Sequence, residues 1–161
     1  MQGMSDDTQL LSADSPRMVA IAALLSGIAV ILFNTLPVFV GAVAEGLGFN
    51  HQQLGNLVAI YFAGHTLITI TAPAWIRRLS WKRVTFFAAL AGAVAFLISA
   101  QFEAFLPLSV TLFCVGLCGG TLFVVAMTFA ADSNKPARNF GVVFFAQVAM
   151  GMAVVFVVPQ W

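Results

Sequence analysis

A few side chains in this sequence have types and spacings able to do chemistry in an apolar setting. Tyr61, His65 and Thr69 recur every fourth residue, which places a phenol, an imidazole and a hydroxyl on one helix face. His65 can carry or relay a proton near neutral pH. Its plainer use is a structural hydrogen bond to a threonine or to a carbonyl freed by a proline. Asn34 is the lone amide side chain in an apolar run, and Gln147 is the one polar side chain of another that is a candidate for burial. Thr111, Cys114, Cys118, Thr121 and Thr128 give a third run a mildly polar stripe. The two cysteines sit one helical turn apart on one face, which suits packing better than a disulfide or a metal. Arg77, Arg78, Lys82 and Arg83 make up four of the chain's seven Lys and Arg residues.

The elements that must position these groups follow from composition. Of 161 residues, 61% are hydrophobic and 8% charged, with a mean hydropathy of +0.99. An ordinary globular chain is roughly half apolar and a quarter charged. Too little polarity is left here to cover a water-facing surface, and a net charge of +1 gives no basis for binding nucleic acid. A helix needs roughly 20 apolar residues to cross about 30 Å of hydrocarbon. Five runs meet that need, at about 17–43, 54–76, 84–100, 105–131 and 140–158. In lipid each run must satisfy its own backbone, so helices are the expected form. The expected fold is all-α, a polytopic transmembrane bundle of residues 17–161 preceded by a disordered polar tail over 1–16.

Local signals agree with these ends. Ser15-Pro16 reads as an N-cap followed by a first-turn proline, and Asn50 with Gln53 has capping-box spacing. Pro37 is expected to kink the first span and free the Phe33 carbonyl; Pro73 does the same for Thr69. Gly116 and Gly120 form a GxxxG, which permits close helix approach. The third run, nearly free of polar groups, is expected to face lipid and pack through Ala88, Gly92 and Ala95. With these five spans, every Lys and Arg falls on one side, and the opposite connections hold Glu45 and Glu103. Cationic loops stay in the cytoplasm. The N-terminus is therefore expected in the cytoplasm of a multi-pass protein of the cell's inner (plasma) membrane.

The arrangement resembles the N-terminal half of a major facilitator superfamily transporter. That family carries a signature between its second and third spans: Gly, three residues, Asp, Arg, any, Gly, then two basic residues. Here Pro73 stands at the first Gly, Arg77 at the Asp, Arg78 at the Arg, Ser80 at the second Gly, and Trp81 and Lys82 at the basic pair. Arg78 and Lys82 match. The late Pro37, the glycines Gly116, Gly119 and Gly120, and a polar loop ending in Arg138 are also similar to the family. The resemblance implies a charge network of Arg77, Arg78, Lys82 and Asp132, with Asp132 paired to Arg78. It implies that spans 1, 2, 4 and 5 border a central cavity, so Asn34, Tyr61, His65, Thr121 and Gln147 are candidates to line a substrate path. It implies alternating-access transport of a small solute, with no cofactor. The partners would be the lipid bilayer, the substrate and a second helical half, this chain being expected to be a fragment. The alternative is a small self-associating membrane protein that uses its GxxxG and Ala/Gly-rich faces for assembly. An enzyme is not expected: there is no HExxH, no Gly-x-Ser-x-Gly and no carboxylate inside a span.

Overall fold

A computed structural model describes residues 15–157. Those residues form seven helices and no strand: α1 (Pro16–Ala29), α2 (Ile31–Asn34), α3 (Leu36–Leu47), α4 (His51–Trp75), α5 (Trp81–Ser99), α6 (Phe105–Ala131) and α7 (Pro136–Val157). Of the expected tail, residues 1–14 lie outside the described residues, as does the end of the fifth expected span. The fold is all-helical, and α4, α5, α6 and α7 are each long and apolar enough to cross a membrane.

The expected caps form. Ser15 accepts from the Met18 amide at 3.3 Å. The Asn50 side chain accepts from the Gln53 amide at 2.8 Å while the Gln53 side chain accepts from the Asn50 amide at 3.0 Å. Ser80, read in the sequence as standing in a loop, accepts from the Arg83 amide at 3.4 Å and caps α5. The third helix therefore begins at Trp81 instead of about 84, and Lys82 and Arg83 belong to its first turn. The helix expected from about 140 likewise begins earlier, at Pro136, because a proline is well suited to a first turn.

The largest departure is in the first run. One helix with a kink at Pro37 was expected over 17–43; the structure has helices of 14, 4 and 12 residues in succession. Val30 and Thr35 leave helical geometry, with ψ near 8° at both. The Ser26-Gly27 pair just upstream is a common place for helices to bend. The Thr35 hydroxyl donates to the Ile31 carbonyl at 2.9 Å, closing the chain locally. The break at Thr35 puts Pro37 in the first turn of α3, where its missing N–H is no loss. Gly48 ends α3 at φ 64°, a left-handed cap that suits glycine.

The long central helix α6 packs against α1, α4, α5 and α7. Near one end, Ala22, Ala126, Ala130 and Val143 join α1, α6 and α7. Near the other, Leu57, Leu108 and Leu112 join α4 and α6, with Phe39, Val43, Phe49 and Phe102 against them. Arg77 bonds Asp132 at 3.0 Å, which ties the α4–α5 turn to the α6–α7 turn. All seven basic residues thus gather at the end where α1 begins, and Glu45 and Glu103 lie at the other. Phe145 and Phe156 on α7, Leu97 on α5 and Ile70 on α4 are 75%, 79%, 69% and 72% exposed. An apolar rind of this kind fits hydrocarbon, where lipid tails are as apolar as leucine and helices associate by packing and hydrogen bonds.

Candidate functional site

The polar side chains inside the bundle collect in two places. The first joins the broken segment to α7. The Asn34 side chain, at the end of α2, donates through Nδ2 to the backbone carbonyl of Gln147 at 2.9 Å. The Gln147 side-chain amide donates to the hydroxyl of Ser26 on α1. Glycines permit this contact. A Cβ on Gly151 would lie 2.7 Å from the Asn34 Cβ, and one on Gly27 would run into the Met150 side chain. Ser26 is fully buried, and Asn34 and Gln147 are half-buried. A groove lined by Asn34, Val148, Gly151 and Met152 adjoins the cluster. The Asn34 and Gln147 side-chain carbonyls accept nothing among the described residues, so two acceptors remain for a visiting donor.

The second place is the α4–α6 seam. Tyr61 is buried, its ring 5.3 Å from Phe62 and 6.5 Å from His65. His65 is half-buried and stands 5.5 Å from the Phe123 ring of α6. Its imidazole makes no hydrogen bond among the described residues. The Thr69 hydroxyl donates to the His65 backbone carbonyl at 2.7 Å, not to the ring. Here the GxxxG works as expected. A Cβ on Gly116 would collide with the Tyr61 carbonyl oxygen, and one on Gly64 with the Phe113 carbonyl oxygen. The GxxxG face offered for self-association in the alternative reading is therefore covered by α4 within the chain.

Of the five candidates for a substrate path, the structure brings Asn34 to Gln147 and Tyr61 to His65. Thr121 is hydrogen-bonded to neither pair, its hydroxyl donating to the Leu117 carbonyl of its own helix at 2.8 Å. Thr111 and Thr128 are tied to their own helix in the same way. Cys114 and Cys118 are free thiols, and Cys118 packs against Gly92 of α5, where a Cβ would come to 3.0 Å of its own. Sequence reasoning missed Ser26. Its signal was its position: a hydroxyl beside a glycine in the middle of an apolar run, two turns before Asn34.

The charge network differs from expectation. Asp132 pairs with Arg77, not Arg78. Both partners are well exposed, at 73% and 43%. Lys82 lies 5.6 Å from the centre of the Trp81 ring, and Trp81 meets Phe129 of α6 edge-on at 4.9 Å. Among the described residues no three His, Cys, Asp or Glu side chains converge as a metal site would require. No protein-family model, no curated protein and no solved structure matches this chain.

Proposed function

We propose that this chain is part of a secondary transporter for a small solute, built like the first half of a major facilitator superfamily protein. In this reading the broken α1–α3 segment is a fifth crossing, and the cationic end faces the cytoplasm of an inner (plasma) membrane with the N-terminus on that side. A second helical half completes the cavity.

The observation that carries the proposal is the interrupted first segment, with its break bound to α7 through Asn34, Gln147 and Ser26. Irregular backbone at membrane depth is tolerated where it is buried in protein or lines a cavity. Discontinuous helices of this kind hold the substrate sites of many secondary transporters. His65 is the only histidine within the apolar stretches of the four long helices, and it is the proposed proton carrier.

The test is solute flux in cells that express the chain with the sequence that follows it in the genome. Flux of at least one solute from a panel of sugars, amino acids, organic acids and neutral apolar compounds is expected, and Asn34→Ala should abolish it without loss of the protein from the membrane. His65→Ala should flatten the dependence of that flux on pH. Wild-type cells that move nothing above the vector control would overturn the proposal. Unchanged pH dependence in His65→Ala would remove the proton-carrier role alone.

A further inference from the structure

α1 and α5 both rest on α6 rather than on each other, and the space between them is a cavity of about 250 Å³. Ala29, Ala88, Gly92, Ala93 and Gly119 form much of its wall. Gly92 and Gly119 let α5 and α1 each approach α6 closely, and the small side chains between leave room. The mouth lies at Ile28, Ala89, Ala93 and Phe96, all exposed on the apolar rind. Span 3 was expected to face lipid, outside a central cavity; as α5 it lines this lateral one through Ala88, Ala89, Gly92, Ala93 and Phe96.

Besides the Cys118 thiol, one polar group breaks the apolar lining. Tyr61 is 2% exposed and lines the cavity. Its hydroxyl comes within 3.8 Å of where a Cβ on Gly119 would stand, against the cavity wall. That hydroxyl has no hydrogen-bond partner among the described residues. Buried tyrosine hydroxyls ordinarily find a partner. A dry apolar cavity of about 150 Å³ already takes up benzene; this one is larger and carries a donor.

We propose that the cavity between α1, α5 and α6 binds a neutral, mostly apolar molecule of roughly ten heavy atoms that bears one hydrogen-bond acceptor. The molecule enters from the hydrocarbon, and its acceptor takes the Tyr61 hydroxyl proton in a hydrogen bond. The site goes beyond the transport reading. It shares no lining residue with the Asn34–Gln147 contact, although Ile31 and Leu32 of α2 border it, and it exists whether or not the chain moves a solute.

Tyr61 is the only tyrosine in the sequence, so 3-fluorotyrosine gives the chain a single fluorine reporter inside the cavity. The probes are acetophenone and α-methylstyrene, which share size and shape but differ in the carbonyl acceptor. In lipid nanodiscs, acetophenone should shift the fluorine resonance saturably and bind about tenfold more tightly than α-methylstyrene. Tyr61→Phe, read with radiolabelled acetophenone by equilibrium dialysis, should erase that preference. Ala93→Leu, which fills the mouth from an exposed position, should abolish the saturable shift for both probes. If Ala93→Leu does not fold, Ala89→Leu fills the same mouth. A shift that rises linearly with probe, equal affinity for the two probes, or saturable binding that persists in the filled variant would each overturn the proposal.

Discussion

Two seams hold this bundle together, and they are made differently. Between α4 and α6 the contact is backbone on backbone: Gly64, Gly116 and Gly120 leave no space for a methyl group. Between the α1–α2 segment and α7 the contact is directional, made by Asn34, Gln147 and Ser26 over the glycines Gly27 and Gly151. Neither draws on water exclusion, because the helices leave one apolar medium for another. The first seam depends on dispersion over many close atoms and tolerates no intrusion. The second depends on a few polar groups that can change partners. The transport proposed above would call for one interface that stays fixed and one that rearranges, and the two seams differ in that respect.

The sharpest way to break the comparison is to add one methyl group. Gly116→Ala would drive a Cβ into the Tyr61 carbonyl oxygen, a backbone atom that cannot swing aside. Overpacking of this kind costs about 1–3 kcal/mol. Gly55→Ala lies on the same α4 helix with nothing within 4 Å, and there the change should stabilise by about 0.5–1 kcal/mol. The midpoint of detergent-induced unfolding, followed by circular dichroism, reads both. Equal shifts in the two variants would mean that the α4–α6 seam does not hold the fold.

Gly151→Ala should do less damage: its methyl meets the Asn34 Cβ, which is fixed by the backbone, at 2.7 Å, a milder overlap than the one at Gly116, and only the Asn34 amide beyond that Cβ can turn away. The expected loss is the Asn34 hydrogen bond, about 1 kcal/mol, with a small outward shift of α7. A loss as large as that of Gly116→Ala would show the second seam to be as rigid as the first.

The two bonds of the second seam can also be separated. Asn34 bonds a main-chain carbonyl, so Gln147→Ala leaves that acceptor in place and removes only the bond to Ser26. A double-mutant cycle on Gln147→Ala and Ser26→Ala should give a coupling of about 0.6 kcal/mol, and no more than about 1.7, the range for such bonds within membranes. Zero coupling would reduce the seam to the Asn34 contact and the packing at Gly27 and Gly151.

The contrast between seams also explains how much of the molecule could be read from its sequence. The boundaries of α6 were legible to the residue, and the caps at Ser15 and Asn50 were too, because both rest on local rules of hydropathy and hydrogen bonding. The GxxxG could be read as a close-contact face; its partner, Gly64 on α4, could not, since one sequence does not say which helix arrives. The split of the first run was hidden for a similar reason. Pro37 announces a disturbance, but whether it kinks a helix or starts a new one depends on Thr35 closing on Ile31, which is a matter of conformation. Asn34 and Gln147 stood out as isolated amides in apolar runs. That they meet, and that Ser26 completes the set, follows from the approach of α1 to α7.

The smallest expected effect concerns which arginine faces Asp132. Neighbouring residues in a helical turn point roughly 100° apart, so Arg77 and Arg78 cannot both address the same carboxylate. The Arg78 amide is bonded to the Trp75 carbonyl at 2.9 Å, which fixes the turn that leaves Arg77 toward α6. With both partners exposed, the pair is worth about 0.2–1 kcal/mol and should fade as salt is raised. Arg77→Ala and Asp132→Ala should therefore shift the unfolding midpoint by the same small amount, and the double variant by no more than either. Arg78→Ala should leave it unchanged. If Arg78→Ala instead matched Asp132→Ala, the pairing implied by the family resemblance would hold in the membrane. The α4–α5 turn would then have to rotate by about one residue relative to the structure described here.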